Sequence, residues 1–214
     1  MEDNLIYMKR CIELASKEIG NTYPNPLVGC VIVYENKIIG EGSHQAYGDK
    51  HAEVKAINSV NDKNILKDST LYVNLEPCNH YGKTPPCTDI ILKYKIKNVV
   101  IGSSDPNRMV EGGGIKRLEA NGCNVTYGVL ENECSHLNKR FLTYHKQKRP
   151  YVILKWAESN DGFISPIKSE REVYWISGDK SKKLSHGWRS EEHSILVGVQ
   201  TIICLLYTSD AADD

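Results

Sequence analysis

Apolar positions recur at intervals of three and four along Leu5, Met8, Ile12, Ala15 and Ile19, which predicts an amphipathic helix that Gly20 can end. A turn-rich connector, Asn21 to Pro26, leads to a nearly continuous apolar run, Val28 to Tyr34, the pattern of a strand buried on both faces. Glu35-Asn36 reads as a hairpin turn returning the chain along Lys37 to Gly42. Helical spacing resumes at His51 to Ser59. Leu71 to Leu75, Val99 to Ile101 and a stretch near Val125 read as further strands. Helices are expected at Thr88 to Tyr94, Gly114 to Ala120 and Glu131 to Tyr144, the last with Leu137, Phe141 and Tyr144 on one side. Strands alternating with helices predict an α/β layered domain around a mostly buried sheet.

The charged break Lys146-Gln147-Lys148-Arg149-Pro150 is the expected domain boundary. Beyond it come an expected strand at Tyr151 to Leu154, a turn at Ser159-Asn160-Asp161-Gly162, a helix from Trp175-Ile176-Ser177 to about Arg189, and a strand at Ile195 to Val197. The 214 residues have room for one full domain and part of another.

Charge excludes more than it suggests. Lysine plus arginine balance aspartate plus glutamate at 27 each, so the chain lacks the broad basic field of a non-specific nucleic-acid binder, and no nucleic-acid partner is expected. No apolar run approaches bilayer length and the acidic N-terminus is unlike a secretion signal, so no membrane partner is expected either. Seven cysteines without a regular framework fit a reducing, cytoplasmic setting. Cys11, Cys30, Cys123 and Cys134 lie among apolar neighbours or in expected helices and read as ordinary thiols. Cys78 and Cys87 do not, because proline, glycine and polar residues surround them.

The chemistry concentrates at His51-Ala52-Glu53 and Glu76-Pro77-Cys78-Asn79-His80-Tyr81-Gly82-Lys83-Thr84-Pro85-Pro86-Cys87. One imidazole and two thiolates suit zinc, and three protein ligands leave the fourth position open. A glutamate two residues past the histidine is then a ready proton carrier, the grouping used by zinc deaminases. Residues two apart point to nearly opposite sides of a helix, so His51 and Glu53 converge on one site only if it lies off the helix's N-terminal end. There the helix dipole also favours negative charge. Other readings stand beside this one: a solvated surface His-x-Glu, a site in which His80 binds in place of one cysteine, and a closed structural zinc site, which needs four ligands and gives Glu53 no role.

At these residues the sequence resembles the deaminase half of the bifunctional riboflavin-biosynthesis deaminase/reductase family. The same resemblance extends to Pro24-Asn25-Pro26-Leu27-Val28-Gly29, Gly42-Ser43-His44, Asp105-Pro106-Asn107 and Gly112-Gly113-Gly114-Ile115, and covers residues 1 to 146. Eight residues separate Cys78 from Cys87, where general nucleoside and nucleic-acid deaminases have two. The resemblance implies a cytidine-deaminase-like three-layer α/β/α fold. It implies hydrolytic deamination of 2,5-diamino-6-ribosylamino-4(3H)-pyrimidinone 5′-phosphate to the aminouracil and ammonia. His51, Cys78 and Cys87 match zinc ligands, Glu53 the proton donor, and Asn25, His44, Lys83, Thr84, Asp105 and Asn107 the lining of the substrate pocket. Taken alone, Asn25 and Asp105 are also ordinary turn residues before proline, and Lys83 a solvated side chain.

Residues 147 to 203 resemble the start of the family's NADPH-dependent reductase domain, which has a dihydrofolate-reductase-like fold. Ala157, Trp175 and Thr201 match cofactor contacts and Arg189 a substrate contact, while Asn160 stands where the family usually has leucine. The full-length family tends to form homodimers through this half. Residues 204 to 214 resemble no reductase segment; they are similar to translated adapter DNA of a sequencing library, so a non-native tail and an incomplete, inactive reductase segment are expected. Two competing functions remain: a zinc deaminase acting on another pyrimidine, a purine or an RNA base, and a non-catalytic zinc-stabilised interaction module.

Overall fold

The computed structural model describes residues 2–82, 84–106, 113–163 and 176–199. The chain divides into two compact units, Met1–Tyr151 and Val152–Asp214.

Among its described residues the first unit is built on five strands: β1 (Gly29–Tyr34), β2 (Lys37–Ser43), β3 (Thr70–Leu75), β4 (Asn98–Ser103) and β5 (Asn124–Tyr127), in the order β2-β1-β3-β4-β5. β1 pairs antiparallel with both β2 and β3, whereas β3–β4 and β4–β5 are parallel, so the sheet is mixed. The β1–β2 turn places Glu35 and Asn36 at φ 48° and 59°, the two positive dihedrals of a type I′ hairpin turn, whose twist matches that of the strands. The parallel pairs need crossovers, which helices supply.

Among the described residues of this unit there are six α-helices: α1 (Glu2–Ser16), α2 (Ala52–Ser59), α3 (Cys87–Lys93), α4 (Gly113–Ala120), α5 (Glu131–Leu137) and α6 (Lys139–Gln147). Successive residues of β1 serve opposite faces. Cys30 and Ile32 pack with Ala52, Ala56, Ile57, Ile91 and Leu118, while Val31 and Val33 pack with Met8, Cys11, Tyr72 and Cys134. Both faces being covered is why β1 reads as an unbroken apolar run rather than an alternation.

Several expectations are corrected. α1 stops at Ser16, three residues short of Ile19, and the chain turns through Gly20 at φ 90°. A 3-10 helix, Lys63–Asp68, was not legible from periodicity; Asp62 starts it by accepting from the Asn64 N–H. The helix expected over Glu131 to Tyr144 is two helices, broken at Asn138.

In the second unit the turn closes through Gly162 N–H on the Ser159 carbonyl at 2.9 Å, and the described residues include a helix, α7 (Asp179–Glu191). Neither Tyr151 to Leu154 nor Ile195 to Val197 is a strand. A strand exists only through its ladder, and among the described residues neither segment has one; Leu196 is 98 % exposed. The helix expected from Trp175 starts at Asp179; Trp175 itself lies outside the described residues. Among the described residues no helix is long and apolar enough to cross a membrane.

Candidate metal centre

His51 is the N-cap of α2, with extended backbone (φ −69°, ψ 160°), and Glu53 lies in the first turn. The cap residue's departure from helical geometry lets both side chains serve one place off the helix end. Cys78 follows β3 and the Glu76-Pro77 step, and Cys87 opens α3 behind Pro86, whose missing N–H costs nothing at a helix start. Two helix N-termini therefore face the same point, each favouring negative charge.

The donor atoms of His51, Cys78 and Cys87 all lie within 4.8 Å of one another. His51 Nδ1 is 3.2 Å from Cys87 Sγ and 3.5 Å from Cys78 Sγ, and the Cys87 backbone N–H donates to Cys78 Sγ at 3.2 Å. Tetrahedral zinc with ordinary Zn–N and Zn–S bonds would set nitrogen and sulfur about 3.6 Å apart. The three side chains thus fit zinc with little movement. His80 is not part of this cluster and lines the neighbouring cavity, its buried Nδ1 without a hydrogen-bond partner.

The proton inventory suits the same reading. The Cys87 thiol, followed by His51 and the Cys87 N–H, lowers the Cys78 thiol to about 4 against the opposing effect of burial. Its neighbour moves the other way: Cys87 is pushed up, first by the Cys78 sulfur and then by burial, so the pair shares one proton. Burial, then the nearby Cys78 charge, raises the Glu53 carboxyl to about 6. Glu53 is 3 % exposed and its Oε2 has no hydrogen-bond partner, a costly state for a carboxylate unless something else is meant to meet it.

Below this centre lies a cavity of about 460 Å³. Asn25, His44, Thr84 and Asp105 all line it, beside His51, Glu53 and Cys78. Asn25 Nδ2 meets His44 Nε2 at 2.9 Å, and His44 Nδ1 meets the Lys50 carbonyl at 3.3 Å, which assigns the Nδ1–H tautomer. Burial, foremost, holds the His44 pKa below its ordinary value, so the ring is neutral at pH 7. Lys83, Asn107 and Thr201 lie outside the described residues, as does Trp175. Ala157 and Arg189 belong to the second unit, the first outside any helix or strand and the second in α7.

Sequence reasoning overlooked several residues. Glu76, 4 % exposed, accepts from Gly114 N–H at 3.0 Å, Ile115 N–H at 3.2 Å and Asp105 N–H at 3.3 Å, tying the start of α4 and the Asp105 turn to the strand that delivers Cys78. Gly114 is needed for that approach, since a Cβ there would sit 2.1 Å from the Pro77 carbonyl. Phe141 and His145 of α6 form another wall. A buried acid next to Pro-Cys was the one available signal; nothing local marks Phe141 or His145.

Comparisons with known proteins agree with this geometry. Residues 1–103 match the family model for the cytidine and deoxycytidylate deaminase zinc-binding region. The chain is 46 % identical over 197 residues to the riboflavin biosynthesis protein RibD of Aquifex aeolicus, spanning 92 % of this chain and 54 % of that protein. RibD of Acinetobacter baumannii superposes with a TM-score of 0.88 at 38 % identity, covering 94 % of this chain and 56 % of that one. A diaminohydroxyphosphoribosylaminopyrimidine deaminase/5-amino-6-(5-phosphoribosylamino)uracil reductase from Thermotoga maritima superposes at 0.87 with 44 % identity, covering 94 % and 57 %. The chain therefore spans about half the length of the curated relatives it matches, and its mixed-sheet unit has the cytidine-deaminase-like α/β fold.

Proposed function

We infer, from a chain that carries the deaminase domain of the riboflavin-biosynthesis deaminase/reductase family, that it hydrolyses 2,5-diamino-6-ribosylamino-4(3H)-pyrimidinone 5′-phosphate to 5-amino-6-ribosylaminouracil 5′-phosphate. Water enters at the amino-bearing ring carbon, and ammonia leaves. The observation that carries this reading is the placement of Glu53, buried and with a free carboxyl oxygen, beside the His51, Cys78 and Cys87 donors at the wall of a cavity sized for a small heterocycle.

His51, Cys78 and Cys87 would hold zinc, which when bound supplies the Lewis acidity that makes water a nucleophile at neutral pH. Glu53 accepts a proton from the attacking water at its carboxylate and hands it to the ring nitrogen, then takes the proton of the added hydroxyl and hands that one to the departing amine, a role suited to a carboxyl raised to about 6. Asn25 presents an amide to the heterocycle edge, with His44 fixing its orientation. Lys83 and Thr84 are proposed to meet the phosphate, and Asp105 and Asn107 the sugar side of the pocket.

We read residues 147–203 as the start of the dihydrofolate-reductase-like domain that reduces the ribose with NADPH, with Ala157, Trp175 and Thr201 toward the cofactor and Arg189 toward the substrate. Similarity that runs through 197 residues of RibD supports that assignment. The test of the deaminase reading is ammonia release by zinc-loaded protein offered the diaminopyrimidinone phosphate, cytidine, deoxycytidylate and an adenosine-containing RNA. Turnover of the first alone is expected; turnover of another compound in its place would overturn the substrate assignment.

A further inference from the structure

The connector that carries Asn25 into the cavity is gripped by side chains from distant parts of the chain. Leu27 N–H donates to Asn138 Oδ1 at 2.8 Å, and Asn138 Nδ2 donates back to the Leu27 carbonyl at 2.9 Å. That same carbonyl accepts from Asn74 Nδ2 at 3.0 Å, while Asn74 Oδ1 takes the Gly29 N–H at 2.8 Å. Asn74 is fully buried and Asn138 is 2 % exposed. A carboxamide offers a donor and an acceptor in one plane, so Asn138 pairs with Leu27 as a neighbouring strand residue would. Without such partners, burying this amide would be costly.

Asn138 occupies the break between α5 and α6, at φ −93° and ψ 18°. A continuous helix there would carry the side chain along a helical face; the break is where the chain instead spends it on Leu27. Two residues before Leu27, Asn25 meets His44 on the cavity wall, and one turn beyond Asn138 the residue Phe141 lines the same cavity. The clamp thus joins two walls of one pocket.

We propose that Asn138 is a positioning residue: by pairing with the Leu27 backbone it sets the Asn25 amide against the heterocycle and the α6 wall against Asn25. The proposal rests on the deaminase reading for its substrate and on the 138–27 pairing for its geometry. Asn138 touches no substrate and acts through Asn25, so the two residues should not contribute independently.

The experiment is a double-mutant cycle on the zinc-loaded full chain with Asn138→Ala, Asn25→Ala and the pair, assayed by ammonia release from the diaminopyrimidinone phosphate. Ile96→Ala serves as a stability control, because Ile96 is fully buried and precedes β4, at the opposite end of that strand from Asp105. Asn138→Ala is expected to raise KM on the order of tenfold with kcat changed much less, and the double variant to be no worse than Asn25→Ala. Zinc stoichiometry should stay that of the parent, and Ile96→Ala should lower Tm while leaving KM in place. Equal KM shifts in Asn138→Ala and Ile96→Ala, or effects that multiply in the double variant, would overturn the clamp. Should the parent release no ammonia from this compound, the functional reading fails, and the clamp is judged by the His44 ring ¹⁵N signals. Asn25→Ala and Asn138→Ala must then both shift Nε2, and an unmoved signal in Asn138→Ala defeats the proposal.

Discussion

The Cys87 backbone N–H donates to the Cys78 sulfur at 3.2 Å, so one prospective ligand is held by the helix start that the other ligand opens. This contact organises the nine-residue step between them before any metal arrives. The two thiols are split by each other: the Cys87 thiol, foremost, lowers Cys78 to about 4, and the Cys78 sulfur, then burial, raises Cys87.

Reactivity should follow that split. In chelated protein at pH 6, iodoacetamide is expected to modify Cys78, which is half-buried, ahead of the buried Cys11, Cys30, Cys87, Cys123 and Cys134. Zinc should protect it, and loading should release a proton from Cys87. Peptide mapping by mass spectrometry checks the order; Cys123 reacting as fast as Cys78 would contradict it.

Glu53→Gln should keep the zinc and lower turnover by on the order of 10²–10⁴-fold, since the amide cannot carry the proton. Its effect on metal-free stability has the opposite sign. A carboxyl raised to about 6 in the fold, above its unfolded value near 4.3, is most stabilising below that unfolded value, and stability is lost as pH rises through 6. The variant should therefore match the parent at pH 4 and have the higher Tm at pH 8, in thermal scans of chelated protein.

The Arg10–Glu41 pair joins α1 to β2 through two contacts, Nε to Oε1 at 2.7 Å and Nη2 to Oε2 at 3.0 Å. Arg10 holds the Glu41 carboxyl below its ordinary value against the opposing effect of burial. A depressed acid stabilises above its unfolded pKa and loses that contribution as pH falls through the folded one. With both side chains about a third exposed, Glu41→Gln should cost about 0.2–1 kcal/mol at pH 7. The difference should fade on acidification below pH 4, measured as Tm against pH.

Two glycine substitutions separate packing from backbone strain. A Cβ at Gly42 would lie 2.5 Å from both the Ala52 carbonyl and the Ala56 nitrogen, so Gly42→Ala must push α2 off the sheet and move His51 and Glu53 with it. A stability loss of about 1–3 kcal/mol and weaker zinc binding are expected. Gly122 has φ 83° and nothing within 4 Å of its added Cβ, so Gly122→Ala should cost about 1–2 kcal/mol through strain alone and leave zinc affinity unchanged. Denaturant melts and a competitive zinc chelator read both quantities.

Where the signal was local, the sequence carried it. The β1 run, the Glu35-Asn36 turn and the helices at Ala52–Ser59 and Gly113–Ala120 all follow from spacing and turn chemistry within a few residues. Residue type singled out His51, Cys78, Cys87 and Glu53, because few other combinations hold a soft divalent ion next to an acid. The Glu131 to Tyr144 periodicity misled, since an apolar stripe continues across Asn138 while the backbone does not. The strands expected at Tyr151 to Leu154 and Ile195 to Val197 failed for a related reason: β-propensity describes a segment, whereas a strand needs a partner.

The amino-acid sequence by itself determined the kinds of atoms available, the alternation of buried strands with helices, and the turns that Gly, Pro and Asn impose over a few residues. Only the tertiary structure decided that His80 stays out of the ligand cluster, that Glu76 anchors the start of α4, and that Asn138 reaches across 111 residues to hold Leu27. These outcomes depend on which distant backbone groups are left needing a partner once the sheet has formed. That demand exists in the packed chain and nowhere in a local window of residues.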